Sequence, residues 1–437
     1  MDFTPWTLLT DVGIVSLLLL IGKFLRAKVR IIQRLFIPPS LLAGFTALLF
    51  GPEGLGWLPL SGNSGTYAGI LIAMVFSTLP LTSSSTKKGN SEIGRMWAYS
   101  QTGMLLQWAL GGGIGIFLLS RFWKINDAFG LSMPAGFCGG HGTAAALGQA
   151  FAGYNVPELL TLAMTAATVG IIASVIIGMW LVTYGSEKGY TKYLTRFAEL
   201  PAELRTGILP EDKRHSMGNA SFSAISLDSM TFNFGLVAAI ALGGYGISKG
   251  VALLVPGLSL PVFSCAFLVG ILIKWIIGKS RIDQYVSKPI VGHLGGAFTD
   301  YLVVFGVASI KVEIVAQYIV PLLILLAVGL LCTLLYVFLL GKRFFKDAWF
   351  EKSMFTWGWF TGTTAMGLAL LRITDPDSKS GCLDQYAMAY LYIAPVEIAL
   401  VTFSPMLFAG GFGGIFVGVC AIAGAGILLF SKIRKWI

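Results

Sequence analysis

Two stretches of this 437-residue chain place ligand-holding residue types in apolar surroundings. The first runs Pro134-Ala135-Gly136-Phe137-Cys138-Gly139-Gly140-His141-Gly142-Thr143. So many weak helix formers should break a helix here. The break leaves free amides at the start of the half-helix 143–151, at the positive pole of its dipole, which is a natural seat for a carboxylate. Gly139, Gly140, His141, Gly142 and Thr143 are therefore candidate substrate-binding residues. The second stretch is Thr361-Gly362-Thr363-Thr364-Ala365. Its freed carbonyls and hydroxyls are hard oxygen ligands suited to a sodium ion. Thr363 and Thr364 are the candidate metal ligands, and Gly362 joins the substrate group. One stretch can hold an anion and the other a cation.

Ionisable groups inside apolar segments are costly and therefore functional candidates. Asp300, in Gly295-Gly296-Ala297-Phe298-Thr299-Asp300-Tyr301, and Glu397, which follows Pro395, are candidate sodium ligands. A buried pair with a Lys or Arg such as Arg372, or a headgroup-level position, fits each of them equally well. Arg372 can neutralise a substrate carboxylate, or it can anchor its half-helix through Asp375 and Asp377. His141 reads as a proton carrier, a substrate partner or a loop buttress; His293 near a span edge and His215 between spans leave no relay. Asp11 and Asp228 lie close to their membrane edges. The polar run Thr82-Ser83-Ser84-Ser85-Thr86 either lines a vestibule or caps a solvated helix end. Gly140-x-Gly142 follows no strand and precedes no acidic ribose ligand, so it is not a dinucleotide loop. Cys138, Cys265, Cys332, Cys382 and Cys420 have neither zinc nor disulfide spacing. No catalytic dyad, metal cluster or cofactor motif stands out, and the expectation is that the chain is not an enzyme.

Such residues must be positioned by membrane helices. Only 12% of the residues are charged and 55% are hydrophobic, in blocks long enough for a helix to cross about 30 Å of hydrocarbon. The blocks lack the alternation of a barrel strand. Spans are expected at 6–24, 38–58, 67–81, 99–119 and 159–184, then 230–247, 261–277, 291–310, 320–340, 387–406 and 412–430. The segments 132–151 and 355–372 are too rich in Gly, Thr and Ser for ordinary spans and are read as re-entrant or broken helices. The first block lacks a signal peptide's basic start and cleavage site, so it is read as a retained helix. With the N-terminus outside and both odd segments re-entrant, every one of the 31 Lys and Arg residues except Arg121, Lys124, Lys249, Lys311 and the intra-span Lys274 falls inside. The net charge of +10 thus reports topology and a lipid-bilayer setting, and no nucleic-acid partner is expected. The C-terminus is then cytoplasmic.

The two halves mirror each other. Ile37-Pro38-Pro39-Ser40 opens a helix in one half and Leu260-Pro261-Val262-Phe263 in the other, and Gly-Thr-x-Ala recurs from Gly142 at Gly362. Five spans precede the linker, so the second copy enters the membrane inverted, as in secondary transporters, whose sites lie where interrupted helices meet. The expected architecture is an all-α integral membrane protein of two inverted-topology repeats of about five helices each, with two opposed re-entrant or broken helices. Its parts are an N-terminal repeat 1–184, a cytoplasmic linker 185–228, a C-terminal repeat 229–407 and an extra C-terminal helix 408–437. A channel or an embedded enzyme fits this layout less well.

Gly139-Gly140-His141-Gly142-Thr143 with Ala144-Ala145, the Ile37-Pro38 helix start and the repeated layout resemble the sodium/glutamate symporter family. The resemblance implies sodium-driven symport of L-glutamate or a related acidic amino acid across a bacterial inner membrane, by a homodimer with elevator-like movement. Another small carboxylate or amino acid is the alternative substrate. Two features depart from the family pattern. Its second motif reads Gly-Ala-Thr-Pro-Thr-Ala-x-Ala-Asn, whereas Gly362-Thr363-Thr364-Ala365-Met366-Gly367-Leu368-Ala369-Leu370 lacks the proline and the asparagine, and the helix 412–430 is additional.

Overall fold

The computed structural model describes residues 4–34, 37–82, 91–193, 206–214, 216–218, 220, 225–254, 260–280, 282–376 and 378–437. Every regular element among them is helical. The first half contributes α1 (Pro5–Lys28), α2 (Pro39–Phe50), α3 (Ser64–Thr82), α4 (Ser91–Ile114), α5 (Ser132–Phe137), α6 (Gly140–Ala152) and α7 (Glu158–Glu187). The second contributes α8 (Ser229–Leu254), α9 (Val262–Ser280), α10 (Lys288–Ala308), α11 (Ile319–Phe344), α12 (Trp349–Thr361), α13 (Thr364–Thr374), α14 (Cys382–Ala409) and α15 (Gly413–Ile433). Ten helices among the described residues are long and apolar enough to cross a membrane. The chain is a multi-pass membrane protein.

The expected spans match these helices with one correction. The block 38–58 is not one long helix: α2 ends at Phe50, within 12 residues. Gly51-Pro52 stops it, because proline offers no amide and clashes with the preceding turn. The chain then doubles back, Leu55 N–H donating to Leu49 O at 2.8 Å and Gly56 N–H to Gly51 O at 2.9 Å. Both odd segments are broken as expected: 132–151 splits into α5 and α6, and 355–372 falls within α12 and α13.

The helices gather into two compact units, and each draws on both halves of the chain. The first comprises Met1–Leu19, Ala43–Ser85 and Leu209–Ser309. Within it α10 packs along α3, close enough that a side-chain carbon on Gly295 would stand 2.7 Å from Thr78 Oγ1. Small residues allow such approach where water supplies no hydrophobic drive between helices. Leu81, Val237, Ile240 and Val291 form its buried cluster. Asp11 is buried here, and its carboxylate accepts from Ser61 N at 2.8 Å, from the Ser61 hydroxyl and from Tyr67 OH at 2.9 Å.

The second unit comprises Leu20–Leu42, Thr86–Ile208 and Ile310–Ile437. The 30-residue helix α7 passes through its middle and touches α5, α6, α12 and α13. α4 continues into a π-helical turn at Gly115–Leu119, a register change often found beside functional sites. At the start of α12, the buried Glu351 accepts from the backbone amides of Lys192 and Tyr193, and the buried Lys352 pairs with Glu92 at 3.3 Å. Arg95 donates to Phe344 O at 3.0 Å and to Trp436 O at 2.8 Å, tying the ends of α11 and α15 to α4. On the surface, the hydrogen bond from Lys192 holds the Asp347 carboxyl below its usual range and raises the Lys192 ammonium.

Candidate functional site

The first break lies between α5 and α6. Cys138 turns extended, and Gly139 and Gly140 both adopt positive φ, 112° and 64°. Only glycine takes two such angles in succession without strain. The second break lies between α12 and α13. Thr363 caps α13, its side chain accepting from Met366 N at 3.3 Å while its carbonyl accepts from Met366 N at 2.9 Å and Gly367 N at 3.1 Å.

The breaks meet. A side-chain carbon on Gly140 would stand 2.7 Å from Thr363 Cγ2 and 2.8 Å from Gly362 O. Behind them α7 comes equally close, since a side chain at Gly170 would overlap Thr361 O and reach Phe137 Cδ1 at 2.9 Å. The Gly362 carbonyl therefore points at the first break. No donor among the described residues reaches it.

Glu397 reaches the crossing from α14. Its Oε1 accepts from Thr143 Oγ1 at 2.9 Å and lies 2.6 Å from where a side-chain carbon on Gly139 would sit. Its Oε2 accepts from Tyr390 OH at 3.2 Å. Glu397 is 6% exposed, and among the described residues no Lys or Arg pairs with it. A carboxylate beside two neutral hydroxyls at membrane depth lacks compensation for its charge, which a cation would supply. Two oxygen acceptors, Glu397 Oε1 and Gly362 O, thus flank the successive glycines 139 and 140. Hard oxygens of this kind fit a sodium ion. Among the described residues no group of three or more His, Cys, Asp or Glu side chains could hold a metal ion.

His141 is buried and held by Thr168, Nε2 to Oγ1 at 3.0 Å. The Thr168 hydroxyl donates to Met164 O at 2.9 Å, so it accepts from histidine, and the proton sits on Nε2. Nδ1 is then a buried acceptor without a partner among the described residues. Thr364 is exposed at the start of α13.

One candidate on the same unit stands apart from this crossing. Arg372 lies at the far end of α13, roughly 13 Å of helix from Thr363, and donates to Pro376 O at 3.1 Å. Asp375 accepts instead from the backbone amides of Lys379 and Ser380, both at 2.8 Å. Asp300 belongs to the first unit, exposed on α10. Ser83, Ser84, Ser85, Thr86, His215 and Asp377 lie outside the described residues. Sequence reasoning missed Tyr390 and Thr168. Tyr390 precedes Glu397 by two helical turns and so shares its face, a readable signal; Thr168 gave none.

The sequence pattern of the sodium/glutamate symporter family matches residues 7–348. The chain belongs to the sodium/glutamate symporter family. It is a sodium-coupled transporter, with sodium as its coupling ion. The match contains the first break of the symporter and stops before α12, so the second break, Glu397 and α15 lie beyond it. No curated protein sequence matches the chain. Among solved structures, the sodium proton antiporter MjNhaP1 from Methanocaldococcus jannaschii aligns over 92% of this chain and 99% of its own at 15% identity, with a TM-score of 0.42.

Proposed function

We propose that this symporter carries L-glutamate or a related acidic amino acid, with sodium, across a bacterial inner membrane. The observation that carries the reading is the crossing of two helix breaks beside a buried carboxylate that has no cationic partner among the described residues. The substrate carboxylate sits at the start of α6, with Gly139, Gly140, His141, Gly142 and Thr143 around it and Gly362 facing them. Nδ1 of His141, without a partner among the described residues, is available to a substrate ammonium or to water. Sodium sits between Glu397 and the second break, where Thr363 and Thr364 add oxygens. Arg372, at the far end of α13, serves the path to this site rather than its centre, and Asp300 in the first unit is a further candidate sodium ligand. The chemistry is binding and release, with no covalent step.

The two halves, 1–184 and 229–407, are inverted repeats joined by the linker 185–228, with both broken segments re-entrant and 408–437 an added helix. The distribution of Lys and Arg supports an outside N-terminus and a cytoplasmic C-terminus. Alternating access proceeds by elevator-like movement of the body that holds the breaks, within a homodimer. Another small carboxylate or amino acid is the second reading, favoured by the missing proline and asparagine after Gly362.

Radiolabelled L-glutamate uptake into proteoliposomes under an imposed sodium gradient, against a potassium control, tests this. Sodium-dependent accumulation blocked by cold glutamate is expected. Accumulation blocked instead by a neutral amino acid or 2-oxoglutarate would reject the acidic amino acid.

A further inference from the structure

A helix that stops inside a membrane protein strands its last carbonyls, and each must find a donor or a ligand. At the end of α12 two of them find donors on neighbouring helices. Ser174 Oγ on α7 lies 3.5 Å from Gly358 O. Gln107 on α4 donates from Nε2 to Phe360 O at 2.9 Å and also to Thr333 Oγ1 on α11 at 2.8 Å. A carbonyl only accepts, so the amide nitrogen must be the end that faces Phe360. Gln107 is buried, and its Oε1 has no partner among the described residues. The side chain is therefore held by the two bonds of its nitrogen. The Phe360 ring is confined as well, lying over Gly103 and edge-on to Tyr336 at 5.8 Å.

Two residues after Phe360 comes Gly362, whose carbonyl faces Gly140 without a donor among the described residues. We propose that Gln107 is a positioning residue for sodium: by holding the Phe360 carbonyl between α4 and α11, it keeps the Gly362 carbonyl of the break turned into the crossing. This rests on the reading that sodium binds there. Gln107 touches no candidate ligand itself and acts through the end of α12.

The test is the thermal unfolding midpoint of the full purified protein against sodium chloride, with choline chloride as control and no amino acid present. Wild type, Gln107→Met, Thr333→Val and Thr333→Ser are compared. Gln107→Met is expected to raise the half-saturating sodium concentration about tenfold, because it removes both bonds and leaves a buried carbonyl unpaired. Thr333→Val should raise it about threefold, and Thr333→Ser, which keeps the hydroxyl, should match wild type. A Gln107→Met protein that melts lower in choline yet keeps the wild-type sodium response would reduce Gln107 to a packing residue and overturn the proposal. Should Gln107→Met fail to fold, Thr333→Val decides, and an unchanged sodium response there overturns it. A wild-type protein that sodium does not stabilise would instead reject the sodium seat itself, a failure visible without any variant.

Discussion

The first break is made by two left-handed glycines and is nearly closed, whereas the second is made by a threonine cap and leaves Thr364 and Ala365 exposed at the start of its half-helix. The first has little freedom, since Gly140 touches the opposite break and Cys138 is buried. The second keeps a carbonyl at Gly362 that no donor among the described residues reaches, and its Thr364 is exposed. One break thus supplies a fixed frame and the other adaptable oxygens. Glu397 joins the frame, not the adaptable side, through Thr143 and Gly139.

Substitutions can break that contrast, and the largest effect is expected at Gly140. Gly140→Ala faces a left-handed backbone, worth about 1–2 kcal/mol, and a contact at 2.7 Å with Thr363. Uptake in proteoliposomes should fall to roughly a tenth or less. Near-normal uptake would show that the crossing has room to spare.

Glu397→Gln comes next. It keeps the shape and the acceptor for Thr143 while removing the charge, so the sodium concentration for half-maximal uptake should rise at least tenfold, about 1.4 kcal/mol. The melting temperature should hold or rise, because a buried uncompensated charge is gone. Unchanged sodium dependence would remove Glu397 from the cation seat.

His141→Ala and Thr364→Val should each lower uptake several-fold, roughly the loss of one hydrogen bond, with little loss of folded protein by gel filtration. Wild-type uptake in both would sink the site, and aggregation of either would point to a packing role. Gly362→Ala sharpens the contrast with Gly140→Ala. Its new carbon would lie 3.3 Å from Gly358 O and Met366 Cγ, and its φ of −148° is not left-handed. A loss of about twofold is expected, and an effect as large as that of Gly140→Ala would make the two breaks equally rigid.

The smallest effect is expected from Arg372→Ala, which removes one bond to Pro376 O at the far end of α13. Uptake should stay within about twofold of wild type, as for one net hydrogen bond. A tenfold loss of glutamate affinity with unchanged melting would return Arg372 to the substrate.

Much of this layout was legible in the chain. Apolar blocks announce membrane helices because hydrocarbon tolerates little else, and the glycine-rich stretches had to break because their residues favour no helix. The short α2 was readable too, from Gly51-Pro52, but its apolar flanks outweighed the turn signal. The partners of the site were harder. Gln107, Thr168 and Ser174 meet the breaks across sequence separations that no periodicity encodes.

The sequence by itself determined the helices, the places where two of them stop and the presence of Glu397 in an apolar segment, because each follows from local composition and the scarcity of water in a bilayer. Only the tertiary structure decided that the two breaks touch at Gly140 and Gly362, that Glu397 joins them while Arg372 does not, and that Gln107 holds the end of α12. Those outcomes depend on how closely helices distant in sequence can approach, which is set by packing around small residues and by the need of each stranded carbonyl for a donor.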